Sequence, residues 1–344
     1  MNSVNQSVGI LAAGLYVPPR RLSNDDVEKT VTNYDATVSG RSLDAWAQDR
    51  YGITSRAMSN ELPSEMMAKA IRSATGKAGI SLDDIDFLIV NTAFGDYNQP
   101  TTATEVQKRL GLKEGVFALE INMPCSGAIY TSVLASSLIQ TGGYRYGVVA
   151  GSEKMHRLVD MQDFRTAALF GDGAGAFVLG PEAPWKIKKH KLWSRGEEGD
   201  DRDFALSMLG GRAVYPTSEH MMQNGYHQFR MKGKKVQAFA EQAIAQIIDH
   251  VEHSWGISLD SFDAIIPHQA SKNIVKKAFS ERGIGESKVR YTLDKYGNTS
   301  AASIYITMAD SWSSLEMANR ILMCGFGGGL NWGAILLERR KSSP

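Results

Sequence analysis

The sequence predicts an α/β fold made of two similar halves, and three observations support this prediction. Short apolar runs, such as residues 85–90, alternate along the chain with amphipathic helical patterns, such as residues 64–78. This alternation is typical of parallel sheets that are covered by helices. The order strand, helix, strand, helix, strand occurs twice, and each copy ends in a glycine-rich stretch followed by an apolar strand. The 344 residues are enough for two halves that each bury a core.

We place the halves at residues 1–182 and 183–344, joined by a crossover at residues 181–191, which are rich in Pro and Lys. Helices are assigned where apolar residues recur every three to four positions, and strands where a short apolar run is bounded by turn residues. The first half then contains strand 8–11, a loop at 32–42, helix 43–51, helix 64–78, strand 85–90, helix 101–110, strand 116–121, a helix from 128, strand 146–150 and a hairpin or strand pair at 169–179. The second half contains helix 236–253, strand 262–267, a helix to 282, strand 289–293, a helix to 312, strand 320–324, a loop at 325–329 and strand 333–338.

Composition and charge argue against several classes of protein. The net charge is +1, so no overall field draws the chain to nucleic acid or to a membrane surface. Two cysteines at this length, Cys125 and Cys324, form neither a disulfide scaffold nor a metal-ligand pair. The N-terminus lacks the pattern of a signal peptide, and no apolar run reaches the roughly 18 residues of a membrane helix. We therefore expect a cytoplasmic protein in which Cys125 is free to be a thiol.

Cys125 lies where a predicted strand gives way to a helix, in the stretch Asn122-Met123-Pro124-Cys125-Ser126-Gly127-Ala128. Pro124 ends the strand, and the small residues after Cys125 allow a substrate to approach closely. A cysteine in the first turn of a helix meets unpaired N–H groups and the positive end of the helix dipole, which favour the thiolate. We expect a reactive cysteine here, although a small buried cysteine that only fills space fits the same stretch.

Two corners of the second half carry further polar residues at strand ends. His268 directly follows a strand and Pro267, and Asn298 follows Gly297 before a helical pattern. Open α/β sheets build their sites from such strand ends. Cysteine, histidine and asparagine together suit a thiolate that attacks an acyl carbonyl while polar donors stabilise the oxyanion. The local sequence of a papain-like protease is absent, and the glycines at 171–175 lack the spacing of a nucleotide-binding loop.

Five segments stand out by their order and spacing: Pro124-Cys125-Ser126-Gly127, Phe170-Gly171-Asp172-Gly173-Ala174-Gly175-Ala176, Pro267-His268-Gln269-Ala270, Gly297-Asn298-Thr299-Ser300-Ala301-Ala302-Ser303 and Gly325-Phe326-Gly327-Gly328-Gly329. Together they resemble the thiolase-like condensing enzymes, and most of all β-ketoacyl-ACP synthase III, the initiating ketosynthase of type II fatty-acid synthesis. The third and fourth segments are the most specific part of the resemblance, which extends over nearly the whole chain.

The resemblance implies a five-layered α-β-α-β-α fold, a homodimer, and acyl-CoA or acyl carrier protein thioesters as substrates, with no metal or redox cofactor. It implies that Cys125 is acylated and that the backbone N–H groups of Cys125 and Gly328 hold the oxyanion. His268, as a neutral imidazole, and Asn298 would donate hydrogen bonds to the thioester oxygen of a malonyl-type extender. Phe326 would shield the site and help to expel the carboxylate.

The resemblance also suggests residues that bind the substrate. Trp46 and Arg50 match positions that flank the adenine and phosphates of coenzyme A, although a core tryptophan and a surface arginine are the alternative. Arg165 matches an arginine expected before Phe170, one residue closer to it than usual. Gln99 belongs to a pocket segment, residues 97–100, that is more polar than its usual counterpart.

Several positions differ from the family pattern. Ser271 replaces the usual asparagine after His-Gln-Ala, and Asn273 replaces an arginine; these positions normally hold pantetheine and dock the carrier protein. Pro124 and Ser126 also depart from the usual residues around the cysteine. The lysines at 272–277 and 232–235 are candidates for a substitute patch that attracts an acidic partner.

These differences favour a specialised relative in secondary metabolism over the housekeeping starter enzyme. We expect an acyl group to be loaded on Cys125 and condensed, with a new C–C bond, with a malonyl or β-keto acyl thioester. One alternative is an acyltransferase of the same fold that moves the acyl group to an oxygen or nitrogen acceptor, with His268 as general base. The other alternative is a non-catalytic partner subunit in which Cys125 is never acylated.

Overall fold

The computed structural model describes residues 7–340 of the chain. Its strands are β1 (Val8–Tyr16), β2 (Arg21–Ser23), β3 (Ser55–Ala57), β4 (Phe87–Asn91), β5 (Phe117–Ile121), β6 (Gly147–Glu153), β7 (Gly173–Pro181), β8 (Trp185–Ser194), β9 (Leu206–Ser207), β10 (Arg230–Met231), β11 (Ala264–Pro267), β12 (Arg320–Gly327) and β13 (Asn331–Arg339).

The α-helices range in length from four residues to 17. They are α1 (Asn24–Glu28), α2 (Ala36–Ser39), α3 (Leu43–Tyr51), α4 (Pro63–Ala78), α5 (Thr102–Leu110), α6 (Gly127–Gln140), α7 (Phe164–Ala167), α8 (Glu219–Gln223), α9 (Gly233–Asp249), α10 (Lys272–Ser280), α11 (Leu293–Tyr296) and α12 (Ser303–Ser311). The predicted loop at 32–42 thus contains α2, which the Asp35 carboxylate caps.

One nine-stranded sheet runs through the protein in the order β11-β12-β13-β8-β1-β7-β6-β4-β5. The ladders β4–β5, β4–β6 and β11–β12 are parallel, as expected, whereas the ladders between them are antiparallel. The prediction of purely parallel sheets is therefore wrong for the middle of the sheet. The pair β12 and β13 shows the reason, because residues 328–330 between them are too few for a parallel crossover.

The helices α6 and α12 form the middle of five layers. Alternate residues of a strand face opposite layers: Ile89 of β4 packs toward α6 and α12, whereas Val90 packs toward α4 and α5. In the other half, Met323 of β12 packs toward α6 and α12, and Leu322 packs toward α9 and α10. Burial on both faces explains why these strands are continuous apolar runs. The layer order confirms the expected α-β-α-β-α fold.

Two predictions of secondary structure are wrong, because pairing with residues far away in the sequence determines the structure of these segments. Residues 181–191 are not a crossover, since Trp185–Ser194 form β8, which pairs with β1 and β13 and links the two halves of the sheet. Residues 188–191 of β8 are exposed, which is why this strand is rich in lysine. Residues 289–293 are not a strand: Val289 makes a single bridge to Ile265 before the chain turns into α11.

Two glycine-rich segments lie in strands rather than in loops. Residues 325–327 belong to β12, and residues 173–181 are one strand, β7, between β1 and β6 instead of a hairpin. Gly175 faces α12 so closely that any side chain would overlap Tyr305, so this strand needs a small residue there.

The strands of the large sheet that precede residue 182 occupy one end of it, and those that follow occupy the other. The division into two domains at this point stays a prediction. Among residues 7–340, no helix has the length and apolar character needed to cross a membrane.

Candidate active site

A cavity of about 400 Å³ lies beside the start of α6, and Cys125, His268 and Asn298 all line it. Cys125 sits between β5 and α6, His268 follows β11, and Asn298 follows α11. The fold therefore brings together the three residues that the sequence singled out. Within residues 7–340, no group of three or more His, Cys, Asp or Glu side chains is arranged to hold a metal ion.

Cys125 is fixed by a tight turn at the beginning of the central helix. The Gly127 N–H donates to the Pro124 carbonyl at 2.8 Å, and Ser126 is the N-cap residue of α6. The Cys125 Sγ lies 3.8 Å from the Ser300 Oγ. Strand β12 passes close by, because a Cβ atom added to Gly327 would lie 2.6 Å from the Cys125 Cβ. The position of the sulfur therefore depends on glycine at residue 327.

The expectation that the helix start would favour a thiolate at Cys125 is wrong for the free protein. Burial raises the pKa of the Cys125 thiol to about 11, and the charge of Glu153 also raises it. The hydrogen bond with Ser300 lowers the pKa, but this effect is smaller than that of burial. Helix α6 begins two residues after Cys125, and removing a charge from water costs more than the helix end returns. Cys125 is therefore a neutral thiol at neutral pH.

His268 is a buried, neutral imidazole with a defined orientation. Its backbone N–H donates to the Cys324 carbonyl at 2.8 Å, which extends the β11–β12 ladder by one residue. Burial lowers the pKa of His268 to about 3. Nδ1 lies 2.8 Å from the Ser303 Oγ. We assign the Ser303 hydroxyl as the donor to Nδ1, which leaves the imidazole proton on Nε2 and makes Nε2 a hydrogen-bond donor.

Asn298 is also oriented by hydrogen bonds. Its backbone N–H donates to the Leu169 carbonyl at 2.9 Å, and its carbonyl accepts from the Gly171 N–H at 3.1 Å, so residues 298 and 170 form a parallel bridge. The side-chain Oδ1 accepts from the Ser300 N–H at 2.9 Å. Because Oδ1 is occupied in this way, the Nδ2 amide group is the part of Asn298 that can donate to a bound substrate.

Residues of β12 and of the turn after it complete the wall of the cavity. Phe326 is buried and meets the His268 ring edge-on, with 5.3 Å between the ring centroids. Gly328 lines the cavity, and its carbonyl accepts from the Asn331 Nδ2 at 3.0 Å. The oxyanion role of Gly328 and the shielding role of Phe326 stay predictions.

The predicted substrate-binding residues fall into two groups. Arg50 and Ser271 line the catalytic cavity; Arg50 is exposed at its mouth, and the Ser271 hydroxyl donates to the Arg50 carbonyl at 3.1 Å. Trp46 and Arg165 do not contribute to the wall of this cavity. Trp46 packs edge-on against Tyr51 and Phe164, and Arg165 is exposed beside Asp163. For Trp46 the aromatic cluster supports the core alternative.

Gln99 also lies outside the catalytic cavity. It is exposed and lines a second cavity of about 730 Å³. The two cavities share four wall residues, namely Ala93, Phe94, Asn122 and Met208. The segment at 97–100 thus lies next to the catalytic cavity without reaching it.

Most of the candidate docking lysines are paired with carboxylates. Lys272 and Lys276 both bind Glu286, at 3.1 and 2.8 Å. Lys277 lies 3.6 Å from Glu241, and Lys232 contacts Asp203. These pairs reduce the positive charge that the lysines present to a partner.

Two serines near the catalytic trio were not singled out from the sequence. Ser300 contacts the Cys125 sulfur and has a left-handed backbone with φ of 49°, a conformation that a residue other than glycine adopts at an energetic cost. Ser303 sets the proton position of His268. Both serines belong to the family-like segment at 297–303, so the sequence marked this segment as part of the site. Only the folded structure shows which residue each serine contacts.

Comparisons with known proteins identify the family. The model of 3-oxoacyl-[acyl-carrier-protein] synthase III matches residues 119–196, and the model of its C-terminal region matches residues 252–339. β-Ketoacyl-[acyl-carrier-protein] synthase III 1 of Bacillus cereus is 34% identical over 340 residues, which cover 97% of this chain and 100% of that protein. The chain belongs to the 3-oxoacyl-ACP synthase III family.

Other synthase III proteins agree in sequence and in structure. That of Geobacillus kaustophilus is 35% identical over 335 residues, covering 96% of this chain and 98% of that protein. The crystal structure of the enzyme from Aquifex aeolicus has a TM-score of 0.82 at 31% identity and covers 96% of this chain and 99% of that one. The priming β-ketosynthase of a polyketide biosynthetic pathway has a TM-score of 0.82 at 25% identity, covering 98% of both chains. Synthase III membership confirms the family and the fold that the motifs implied.

Proposed function

We propose that the protein is a ketosynthase III-type condensing enzyme. It loads an acyl group from an acyl thioester on Cys125 and joins it to a malonyl or β-keto acyl thioester with a new C–C bond. The observation that carries this proposal is the convergence of Cys125 with two oriented hydrogen-bond donors, His268 and Asn298, on one cavity. Membership in the synthase III family supports the same reaction.

In the first half-reaction, the Cys125 sulfur attacks the carbonyl carbon of the donor thioester. The Sγ–C bond forms, the bond from the acyl carbon to the donor sulfur breaks, and the thiol proton ends on the leaving thiol. The oxyanion that forms in between needs N–H donors, for which the backbones of Cys125 and Gly328 are the proposed groups.

In the second half-reaction, a malonyl thioester loses CO₂ and becomes an enolate. The His268 Nε2–H and the Asn298 Nδ2–H are the proposed donors to the enolate oxygen, where negative charge develops. The enolate carbon then attacks the acyl group, and the Cys125 sulfur leaves and takes up a proton. Phe326, which packs on the His268 ring, makes this part of the site apolar and so favours the loss of the charged carboxylate.

Transfer of the acyl group to an oxygen or nitrogen acceptor is the weaker candidate. That reaction needs His268 as a general base, and a base works best when its pKa is near the working pH. Burial lowers the pKa of His268 to about 3, which suits a neutral donor and makes the imidazole a poor base.

The proposal also covers the metabolic role of the protein, its acyl donors and its cellular compartment. A specialised role in secondary metabolism is supported by the polar segment at 97–100, whose cavity adjoins the catalytic one and leaves room for a larger or more polar acyl group. Acyl-CoA and acyl carrier protein are both proposed as donors, with Arg50 at the cavity mouth for the phosphates. The cytoplasm is the proposed compartment, because Cys125 must stay a free thiol.

A homodimer is the proposed assembly. Strand β5 is the last strand of the sheet, and its Leu119 side chain is 44% exposed, as is Leu134 of α6 at 42%. An edge strand with exposed apolar side chains favours pairing with a second chain. Sedimentation of the wild type and of Leu119→Lys tests this assignment: the lysine variant should shift toward the monomer.

The function is tested by intact-protein mass after incubation with a panel of acyl-CoA and acyl carrier thioesters, for the wild type and Cys125→Ala. A mass increment on the wild type only is expected, and malonyl and β-keto thioesters are then supplied as acceptors. A product with a new C–C bond supports condensation, whereas an ester or an amide supports the alternative. Absence of an increment with every donor would favour the non-catalytic partner subunit.

A further inference from the structure

Three buried side chains around the start of α6 have polar atoms without hydrogen-bond partners. These atoms are the Asn91 Oδ1 and Nδ2, the Ser126 Oγ and the Glu153 Oε2, and none of them has a partner within residues 7–340. All three residues are completely buried. Unpaired polar groups in a protein interior are costly and rare, so a cluster of them beside a nucleophile calls for a functional explanation.

Glu153 lies on the face of the sheet that points toward the catalytic residues. Strands β4 and β6 are parallel, and Asn91 pairs with Gly151, so Asn91, Gly151 and Glu153 share one face. On this face the Asn91 amide lies against Gly127, the first residue of α6, and Gly151 lies against the Ala301 carbonyl. Glu153 is two residues further along, at the carboxyl end of β6, which is the same edge of the sheet at which the chain leaves β5 for Cys125.

The two oxygens of the Glu153 carboxyl have different surroundings. Oε1 accepts from the Ala93 N–H at 2.6 Å, whereas Oε2 has no partner among the described residues. Burial raises the pKa of Glu153 to about 8, and the nearby Glu120 carboxylate raises it further. The hydrogen bond from the Ala93 N–H opposes this shift without cancelling it. The carboxyl therefore keeps its proton at neutral pH.

The other charged groups near Glu153 do not neutralise it by pairing. Glu120, on β5, has the same sign of charge, and its carboxylate accepts from the Thr102 N–H. Asp172, which precedes the β7 residue opposite Glu153, is paired with the His156 Nδ1 at 2.5 Å. The neighbouring Lys154 donates to the Asn60 carbonyl, away from the carboxyl. None of these charges compensates that of Glu153, so ionisation of the Glu153 carboxyl raises the pKa of the Cys125 thiol.

We propose that Glu153 is a positioning residue whose buried carboxyl holds a proton behind Cys125, so that no negative charge opposes the thiolate when it forms. This inference rests on the proposed function only in taking Cys125 as the nucleophile. When Glu153 loses its proton, the fraction of Cys125 present as thiolate falls. The reactivity of Cys125 therefore depends on Glu153, a residue that does not contact the substrate.

The experiment measures the alkylation rate of Cys125 by iodoacetamide, located by peptide mass, from about pH 6 to about pH 10. In the wild type the rate should rise by less than tenfold per pH unit above about pH 8, where Glu153 ionises and raises the thiol pKa. Glu153→Gln keeps the shape and cannot ionise, so its rate should rise tenfold per pH unit throughout. At about pH 9 the variant should react roughly three to ten times faster than the wild type.

The matched control is Glu316→Gln, an exposed glutamate whose replacement should leave the profile unchanged. Superimposable profiles of the wild type and Glu153→Gln would overturn the proposal. If Glu153→Gln does not fold, Glu153→Asp serves in its place: its shorter side chain has a different pKa, so the bend should move to a different pH, and a bend at the wild-type pH would overturn the proposal. Alkylation by iodoacetamide needs no substrate. The result for Glu153 therefore does not depend on whether the proposed condensation is correct, and either proposal can be refuted without the other.

Discussion

Replacement of Asn298 by alanine should block condensation while leaving the loading of Cys125 largely intact. The Asn298 Oδ1 accepts from the Ser300 N–H at 2.9 Å, so the Nδ2 group is left as the donor for the substrate. Loss of one donor to a developing oxyanion lowers a rate roughly 10²–10³-fold. The donors proposed for the acylation of Cys125 are backbone N–H groups instead, so this step should change by about threefold or less.

A second substitution separates the lost donor from a structural effect. Alanine also leaves the buried Ser300 N–H unpaired, which costs about 1–3 kcal/mol of stability. Asn298→Asp keeps an oxygen acceptor for this N–H and removes Nδ2. Burial raises the pKa of the new carboxyl, so the assays are run above that pKa, where the carboxylate cannot donate. At such a pH the decarboxylation rate of Asn298→Asp should fall at least as far as that of Asn298→Ala, because a carboxylate next to the enolate oxygen is repulsive.

Two assays follow the half-reactions separately. Intact-protein mass reports the acyl group on Cys125, and release of labelled CO₂ from a malonyl thioester reports decarboxylation. Asn319→Ala, at an exposed position remote from the cavity wall, is the control and should behave as the wild type. Equal loss of both half-reactions in Asn298→Ala, or undiminished CO₂ release in Asn298→Asp, would refute the role of Nδ2.

Three further predictions each concern one residue of the site. Ser303→Ala removes the hydroxyl 2.8 Å from the His268 Nδ1, so decarboxylation should fall about tenfold with little change in acylation, as the same two assays would show. Gly327→Ala would place a Cβ 2.6 Å from the Cys125 Cβ, so acylation and the melting temperature should both fall; unchanged acylation would argue against the tight fit. His268 takes up a proton near its ordinary pKa when unfolded, but only near pH 3 when folded, so stability should fall as pH falls through that window. Denaturant titrations should show a shallower loss in His268→Gln.

The three residues that line the cavity could be singled out from the sequence because their signals are local. Cys125, His268 and Asn298 each stand at a corner between a strand or turn and a helix, beside proline or glycine, and such corners can be read from neighbouring residues. The five layers followed from the family resemblance and from apolar runs that are buried on both faces. Strand β8, which links the two ends of the sheet, was not predicted, because its exposed lysines interrupt the apolar pattern by which the other strands were assigned.

Electrostatic properties of the site could not be predicted because they depend on distant residues. The sequence places Cys125 at a helix start and so suggests a thiolate, but burial by β12 and by the segment at 298–300 determines the pKa instead. The proton position of His268 depends on Ser303, which is 35 residues away. Glu153 comes from a strand whose composition is ordinary, and only the register of β4 and β6 in the folded sheet shows that its side chain shares a face with Asn91 and Gly151.

These charge states form a consistent set. Cys125 is a thiol, His268 is a neutral imidazole and Glu153 carries a proton, so at neutral pH the buried part of the site has no net charge. An uncharged site accepts a neutral thioester without the cost of burying a charge beside it. Charge then develops only during the reaction, first on the Cys125 sulfur and the acyl oxygen and later on the enolate oxygen. The groups that meet that charge, the Asn298 Nδ2–H and the His268 Nε2–H, are oriented in advance by Ser300 and Ser303, so they need no rearrangement when the charge appears.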